Sequence, residues 1–207
     1  MELSAVNELV AQLEDSKSAK RRSAAKKLRK LKDGMAGPAL LVALKKEVED
    51  PRTWETQYQI VMALGECECK DALPYLVALS NRSFEATMVY MALGDAIVRL
   101  SRSRPNDISA VFDLIGTGNE MLIDGGLRAI SMLRLVPDEN EITMLLEFVE
   151  RYDLNHHLRY WVLAAAPGWN GQKLELFVER SAKSTLQDIA EAASLAQEKK
   201  YKKWQPL

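Results

Sequence analysis

The chain of 207 residues contains few cysteines and histidines. Its two cysteines, Cys67 and Cys69, lie one residue apart, which is a poor spacing for a disulfide, and no second pair completes a zinc site. The two histidines, His156 and His157, are adjacent, so on a helix their side chains point roughly 100° apart and cannot share one metal ion. We therefore predict no disulfide framework, no metal and no cofactor.

Long apolar runs and targeting segments are also missing. No run of apolar residues is long enough to span a bilayer. The first residues, Met1–Ser4, lack the basic and apolar regions of a secretory signal. With two thiols and no disulfide framework, the chain is expected in the cytoplasm, without a membrane partner.

The sequence lacks the common catalytic motifs. It has no G-x-S-x-G serine nucleophile, no G-x-G-x-x-G turn and no P-loop. The short glycine pairs Gly116-x-Gly118 and Gly125-Gly126 do not follow a predicted strand, so they are not expected to cradle a phosphate. These absences favour a protein without enzymatic activity.

What the sequence does contain is helical periodicity along its whole length. Apolar residues recur at i, i+3, i+4 and i+7, as at Ile142, Leu145, Leu146 and Val149, and no segment alternates as a strand would. The predicted helices cover about residues 2–14, 18–32, 38–49, 51–65, 70–80, 83–101, 105–115, 119–134, 138–151, 154–166, 172–181 and 183–199. Ser83 is the predicted N-cap of one helix and Pro105 the first-turn proline of the next. The fold class is all-α.

Short sequences recur from one predicted helix to another. Leu41-Val42-Ala43-Leu44 returns as Leu76-Val77-Ala78-Leu79, and each copy follows a first-turn proline, Pro38 or Pro74. Self-similarity at a period of about 20–50 residues is typical of stacked repeat proteins. We predict a single domain, residues 1–207, built as a helical solenoid of about five helical hairpins plus a terminal helix.

The repeated residues resemble those of the HEAT-repeat family. The matching segments are Arg22-Ser23-Ala24-Ala25-Lys26-Lys27-Leu28, Asp50-Pro51 leading to Ala63-Leu64-Gly65, and Ala92-Leu93-Gly94. The resemblance covers residues 15–100 well and 100–180 loosely, and the family's arginine after the inter-repeat turn is missing from the third and later units. It implies a right-handed α–α superhelix whose second helices line a concave surface. Independently of the resemblance, the small residues of the predicted first helices, such as Gly65 and Gly94, are expected to let adjacent helices approach closely, because they add little side-chain volume.

Charge is unevenly distributed along the chain. Residues 16–32 carry nine basic side chains and no acidic one, and residues 199–204 add four lysines around Tyr201 and Trp204. Setting these 13 bases aside leaves 15 to balance all 29 acids, so the remainder carries a net charge of about −14. A surplus of this kind predicts a cationic partner and salt-sensitive association.

We therefore predict that the chain binds another, basic, protein through an acidic concave face. A concrete form is an inhibitor or immunity protein that occludes a basic toxin or nuclease domain. The predicted contact residues are Glu47, Glu49, Asp113, Glu139, Glu141, Glu147 and an exposed aromatic anchor, Trp169. The basic patch of Arg21, Arg22, Lys26 and Arg29 is predicted either as a solvated helix face or as a second docking surface.

Two enzymes with HEAT-like folds remain as alternatives. A DNA-repair glycosylase would bring Asp124, Arg128 and Trp161 into one pocket, although Trp161 is also a predicted core residue. Its groove would carry Lys or Arg for the phosphates, whereas the predicted second helices here are acidic or neutral. A lyase that attaches bilin chromophores would look similar in pattern, but no reactive cysteine in a polar cleft is evident.

Overall fold

The computed structural model describes residues 2–203, with side chains from residue 5 onward. Within these residues the chain forms twelve α-helices and no strand, which confirms the all-α prediction. The helices are α1 Glu2–Gln12, α2 Ser18–Leu31, α3 Gly37–Glu47, α4 Trp54–Glu66, α5 Leu73–Ser80, α6 Met88–Ser101, α7 Ser109–Gly116, α8 Glu120–Leu133, α9 Glu139–Val149, α10 Leu158–Ala165, α11 Gln172–Ser181 and α12 Gln187–Gln197. We call α2, α4, α6, α8, α10 and α12 the first helices, and α3, α5, α7, α9 and α11 the second helices.

The local signals at several helix starts act as predicted. Pro38 and Pro74 lie in the first turns of α3 and α5, where the missing N–H group has no helical acceptor to lose. Asp138 caps α9 by accepting a hydrogen bond from the Glu141 N–H, and the Glu141 side chain accepts one from the Asp138 N–H in return. This capping box fixes the start of α9.

Four predicted helix starts, at about 83, 105, 154 and 183, precede the observed ones by four or five residues. Helix α6 begins at Met88, beyond Ser83, because the Tyr90 hydroxyl donates to the Arg82 carbonyl at 2.8 Å and accepts from the Phe84 N–H at 3.1 Å. These bonds tie the preceding segment into a turn. Helix α7 begins at Ser109, four residues after Pro105.

The turn before α7 is organised by a single carboxylate. Asp107 accepts bonds from the backbone N–H and the hydroxyl of both Ser103 and Ser109. These bonds, the one from the Ser103 N–H above all, lower the pKa of Asp107 well below its usual value. Desolvation acts in the opposite direction but is outweighed.

Two compact units make up the chain. Unit 1 consists of residues up to Ser101 together with Leu114–Gly126, and unit 2 consists of Arg102–Asp113 and the residues from Leu127 onward. In unit 1, α2 packs on α4 and α4 on α6, while α3 and α5 lie against α4 and α6. In unit 2, α10 packs on α12 and α9 on α11. Neighbouring hairpins therefore contact through like helices inside each unit.

Small residues bring the first helices of unit 1 close together, as predicted. A Cβ atom at Gly94 of α6 would collide with the Leu122 carbonyl of α8. A Cβ atom at Gly125 of α8 would in turn meet the Met91 carbonyl of α6. Only glycine permits this backbone approach, since any side chain would force the two helices apart.

Large aromatic side chains fill the core of unit 2. Trp169 and Phe177 are the bulkiest fully buried side chains of the described residues. No described helix is long and apolar enough to cross a membrane. The prediction of one domain spanning both units stays a prediction.

Candidate protein-binding surface

The prediction that Glu47 contacts a partner is wrong, because its side chain is buried at the end of α3. Arg21 of α2 donates from Nε to Glu47 Oε2 at 2.7 Å and from Nη2 to Oε1 at 2.9 Å. The Ser18 hydroxyl donates to the same carboxylate. Glu47 is only 4 % exposed, so it joins α3 to α2 and has no open face for a partner. A bidentate arginine–carboxylate pair is the geometry in which a buried charge is best compensated.

Three other predicted acidic residues, the exposed Glu49 and Glu147 and the half-buried Glu141, are each ion-paired with a base elsewhere in the chain. The pairs are Glu49 with Arg82 at 3.3 Å, Glu141 with Arg104 at 3.2 Å and Glu147 with Lys173 at 2.8 Å. The Glu147–Lys173 pair joins α9 to α11, and the Glu49–Arg82 pair joins the segments that follow α3 and α5. Charge counted from the sequence therefore overstates the negative charge that these helices present to a partner.

The remaining predicted acids, Asp113 on α7 and Glu139 on α9, are exposed. Neither takes part in an ion pair among the described residues. They lie on different second helices, α7 and α9.

The basic patch on α2 is largely paired with the same unit. Besides Arg21, Arg22 pairs with Glu55 of α4 and Arg29 Nε lies 3.0 Å from Glu66 Oε1. Lys26 is half-buried and takes part in no ion pair among the described side chains. The patch therefore holds α2 against α4, and its free positive charge is smaller than the sequence indicates.

Glu66 belongs to a buried charge network that was not predicted from the sequence. On α6, Arg99 Nε donates to Asp95 Oδ1 at 2.5 Å, and both side chains are almost fully buried. Burial alone would raise the pKa of Glu66, but Arg99, Arg29 and Lys32 outweigh it and hold that pKa below its usual value. The network links α2, α4 and α6 of unit 1.

Acidic residues recur at intervals of 29 positions, as Glu66, Asp95, Asp124 and Asp153. Arg99 and Arg128 follow the same interval. The interval does not mark one position on successive first helices, because Glu66 is the last residue of α4, Asp95 lies in the middle of α6 and Asp153 lies outside the helices. Asp124, like Asp95, is buried.

An open groove lies between α1 and α3 in unit 1, with a volume of about 910 Å³. Its apolar lining comes from Val10 and Leu13 on one side and from Ala39, Val42 and Ala43 on the other. Its charged lining consists of Glu14, Asp15, Glu47 and Asp50, against Arg21 and Lys46. Glu47 is paired with Arg21, Asp15 with Lys20 and Asp50 with Arg52, while Glu14 lies 3.7 Å from Lys46. The groove thus combines an apolar base with acids that are mostly paired within the chain.

Val42 is the large apolar side chain of this groove that is exposed, at 51 %. Val77, which takes the matching place in the repeated tetrapeptide on α5, is exposed to 44 % but does not line the groove. Met144 of α9 and Leu176 of α11 are exposed to a similar degree in unit 2. An aliphatic side chain therefore faces solvent on four of the second helices.

The prediction that Trp169 is an exposed aromatic anchor is wrong. Its side chain is buried in unit 2, and its Nε1–H donates to the Leu135 carbonyl at 2.8 Å. Trp161, predicted in the core, is half-buried, with the Arg128 guanidinium 5.8 Å from its ring centre. Tyr201 lies under Arg134 at 4.5 Å, and Trp204 falls outside the described residues.

The cysteines show no sign of reactivity. Burial raises the pKa of Cys67 to about 11, with Asp33 and Glu66 adding to the rise. Burial also raises the pKa of Cys69. A thiol of high pKa is a weak nucleophile at neutral pH.

Comparisons with known proteins complete the description of the surface. The sequence was compared with protein-family models, with curated proteins and with solved structures, and none of the three comparisons found a match.

Proposed function

We propose that this chain is a non-enzymatic, HEAT-like α-solenoid that binds a basic segment of another protein. The observation that carries the proposal is the groove between α1 and α3, with its apolar base and the exposed carboxylate of Glu14 beside it. Exposed apolar surface that is framed by charge is typical of protein interaction sites. An amphipathic helix with lysine or arginine beside its apolar face has the chemistry to fill such a groove.

The groove replaces the broader acidic face as the proposed contact surface. Glu49, Glu141 and Glu147 are ion-paired within the chain, so a partner would have to compete with Arg82, Arg104 and Lys173 for them. In the groove, Glu14 is 74 % exposed and lies 3.7 Å from Lys46, which is a weak, solvent-screened pair. Glu14 therefore remains able to attract a cation.

A natural form of this function is inhibition. A protein that covers a basic toxin or nuclease domain needs an anionic site with apolar anchoring, which is the composition of the α1–α3 groove. We propose this inhibitor or immunity role as the concrete version of the binding function. It rests on charge and shape, and the partner is defined by its basic, amphipathic character.

The glycosylase alternative has less support in the structure. That activity requires an aromatic ring open for a base to stack upon. Trp161, the candidate ring, lies beneath the Arg128 guanidinium instead. Three arginines of the basic patch are engaged by Glu47, Glu55 and Glu66, which leaves fewer cations for phosphates.

The test is affinity capture from a lysate of the encoding organism, using the purified chain and two variants. Val42→Lys places a cation in the groove, and Val77→Lys makes the same change on the matching exposed valine outside it. We expect a basic protein to be retained by the unaltered chain and by Val77→Lys. Val42→Lys should weaken binding of that purified protein by about tenfold, since a central apolar contact and a charge match are both lost.

Equal retention by all three proteins would place the contact elsewhere and overturn the proposed groove. Recovery of nucleic acid without any protein partner would overturn the binding function itself. Raising the salt concentration should release part of the bound protein, because charge contributes to the association.

A further inference from the structure

A second binding site is indicated by one arginine of unit 2. Arg159, in the first turn of α10, is buried to all but 6 % of its surface. No carboxylate of the described residues forms an ion pair with it. Its Nε donates to the Asp153 carbonyl at 2.8 Å and its Nη2 donates to the Tyr152 carbonyl at 3.1 Å. The protein positions this guanidinium precisely without neutralising its charge.

The bonding of Arg159 leaves donors to spare. A guanidinium has five N–H groups, and the two hydrogen bonds to backbone carbonyls occupy two of them. Phe177 lies against the group, with 5.2 Å between the guanidinium carbon and the ring centre. Burial lowers the pKa of Arg159, and Arg180 lowers it further, against the opposing effect of Glu150 and Asp153. Burying a charge in this way is unfavourable unless something compensates it.

Arg159 lines an open pocket of about 510 Å³ that lies within unit 2. The other lining residues are Glu150, Leu154, Arg180 and Lys183. Arg180 Nη1 lies 2.9 Å from Glu150 Oε1, so the single acid of the pocket is already paired. Lys183 is exposed and takes part in no ion pair among the described residues. The pocket therefore holds three cations against one anion.

We propose that this pocket binds a phosphate monoester group. Such a group carries a charge of about −1.5 to −2 at neutral pH and three strong acceptor oxygens. That charge is opposite to the positive surplus of the pocket lining, and its three oxygens can accept from the spare N–H groups of Arg159. Planar N–H donors of arginine match the geometry of phosphate oxygens. Arg159 supplies fixed donors, and Arg180 and Lys183 supply exposed positive charge.

This inference does not depend on the proposed function. The pocket belongs to unit 2, while the α1–α3 groove belongs to unit 1. Its ligand is anionic, while the groove is proposed to take a cationic segment. The phosphate could be carried by a small metabolite or by a phosphorylated serine of a protein.

The test is a titration of the full chain with inorganic phosphate, with a phosphoserine peptide and with adenosine monophosphate at constant ionic strength. Binding is followed by the arginine Nε–Hε signals in ¹H–¹⁵N spectra. We expect the Arg159 signal to shift on addition of phosphate. The Arg99 signal is an internal reference that should stay still, because Asp95 already occupies that group.

Variants then separate the pocket from general surface charge. Lys183→Gln removes an exposed cation of the pocket without touching the core, and it should weaken phosphate binding roughly tenfold, as expected for a charged hydrogen bond. Lys173→Gln removes an equally exposed lysine of α11 that is outside the pocket, and it should leave binding unchanged. Arg159→Gln, if it remains folded by circular dichroism, should abolish the binding.

The outcomes distinguish the sources of the phosphate. Tighter binding of the peptide than of the free ion would assign the site to phosphorylated proteins, and tighter binding of the nucleotide would assign it to metabolites. No shift of the Arg159 signal at millimolar concentrations of any of the three probes would overturn the proposal. Equal weakening by Lys183→Gln and Lys173→Gln would also overturn it, because it would show attraction by surface charge alone.

Discussion

Unit 1 and unit 2 fill their interiors in different ways. In unit 1 the first helices approach until the backbone of Gly94 meets that of α8, and the described core side chains are aliphatic. In unit 2 the core contains Trp169, Phe177 and Phe148, which are the buried aromatic residues of the described chain. The two units therefore differ in the size of the side chains that fill their cores.

The two units also treat buried charge differently. In unit 1, Arg99 is compensated by Asp95 one helical turn earlier. In unit 2, Arg159 is held by two backbone carbonyls that carry no net charge. A buried arginine with a carboxylate partner is a complete structural element, whereas one held by neutral groups retains the capacity to bind an anion.

The largest expected effect concerns the aromatic core of unit 2. Trp169→Ala should lower the free energy of unfolding by about 4 kcal/mol, because it leaves a large cavity and an unsatisfied Leu135 carbonyl. Urea unfolding followed by circular dichroism measures this loss. Trp54→Ala is the matched control, since that side chain is 37 % exposed and its removal should cost much less. Similar losses for the two variants would contradict the packing described for unit 2.

A smaller effect is expected from the buried ion pair of unit 1. Asp95→Ala should lower the free energy of unfolding by about 3 kcal/mol, because Arg99 is left as a buried charge without its nearest partner. The double variant Asp95→Leu with Arg99→Met should recover most of that loss, since both charges are then gone. If the double variant were as unstable as the single one, packing rather than charge would explain the loss. Denaturant titration of both proteins makes the comparison.

The smallest of the three effects tests the backbone approach in unit 1. Gly94→Ala should lower the free energy of unfolding by about 2 kcal/mol, since the new methyl group meets the Leu122 carbonyl. Gly116→Ala is the control, because a Cβ atom there meets nothing within 4 Å, and alanine favours the helix. Thermal unfolding should therefore shift in opposite directions for the two variants. A stabilised Gly94→Ala protein would show that α6 and α8 are not in close backbone contact.

Much of the secondary structure could be predicted because it depends on local signals. Apolar periodicity and first-turn prolines such as Pro38 placed the helices, and their ends differ from prediction by only a few residues. The exceptions arise where a side chain reaches back along the chain, as Tyr90 does to Arg82 and Asp107 does to Ser103. A hydroxyl or a carboxylate can satisfy several backbone groups, and that choice is not visible in periodicity.

The candidate surface was harder to predict because it depends on contacts between distant residues. Glu47 and Arg21 are 26 positions apart, and the count of acids along the chain could not reveal that one neutralises the other. Trp169 lies in a turn sequence, where exposure is the usual expectation, yet its indole N–H finds the Leu135 carbonyl 34 residues earlier.

The buried thiol of Cys67 can report how often unit 1 opens. Its Sγ lies 3.7 Å from the Leu28 carbonyl, between α4 and α2, and is sealed from solvent. A thiol reagent can reach it only when these helices separate, so the rate of labelling measures how often unit 1 opens. Both cysteines of the sequence lie in unit 1, so unit 2 contributes no background. The half-exposed Cys69 gives the labelling rate of an accessible thiol in the same molecule. The ratio of the two labelling rates therefore reports local opening of unit 1 without any engineered probe.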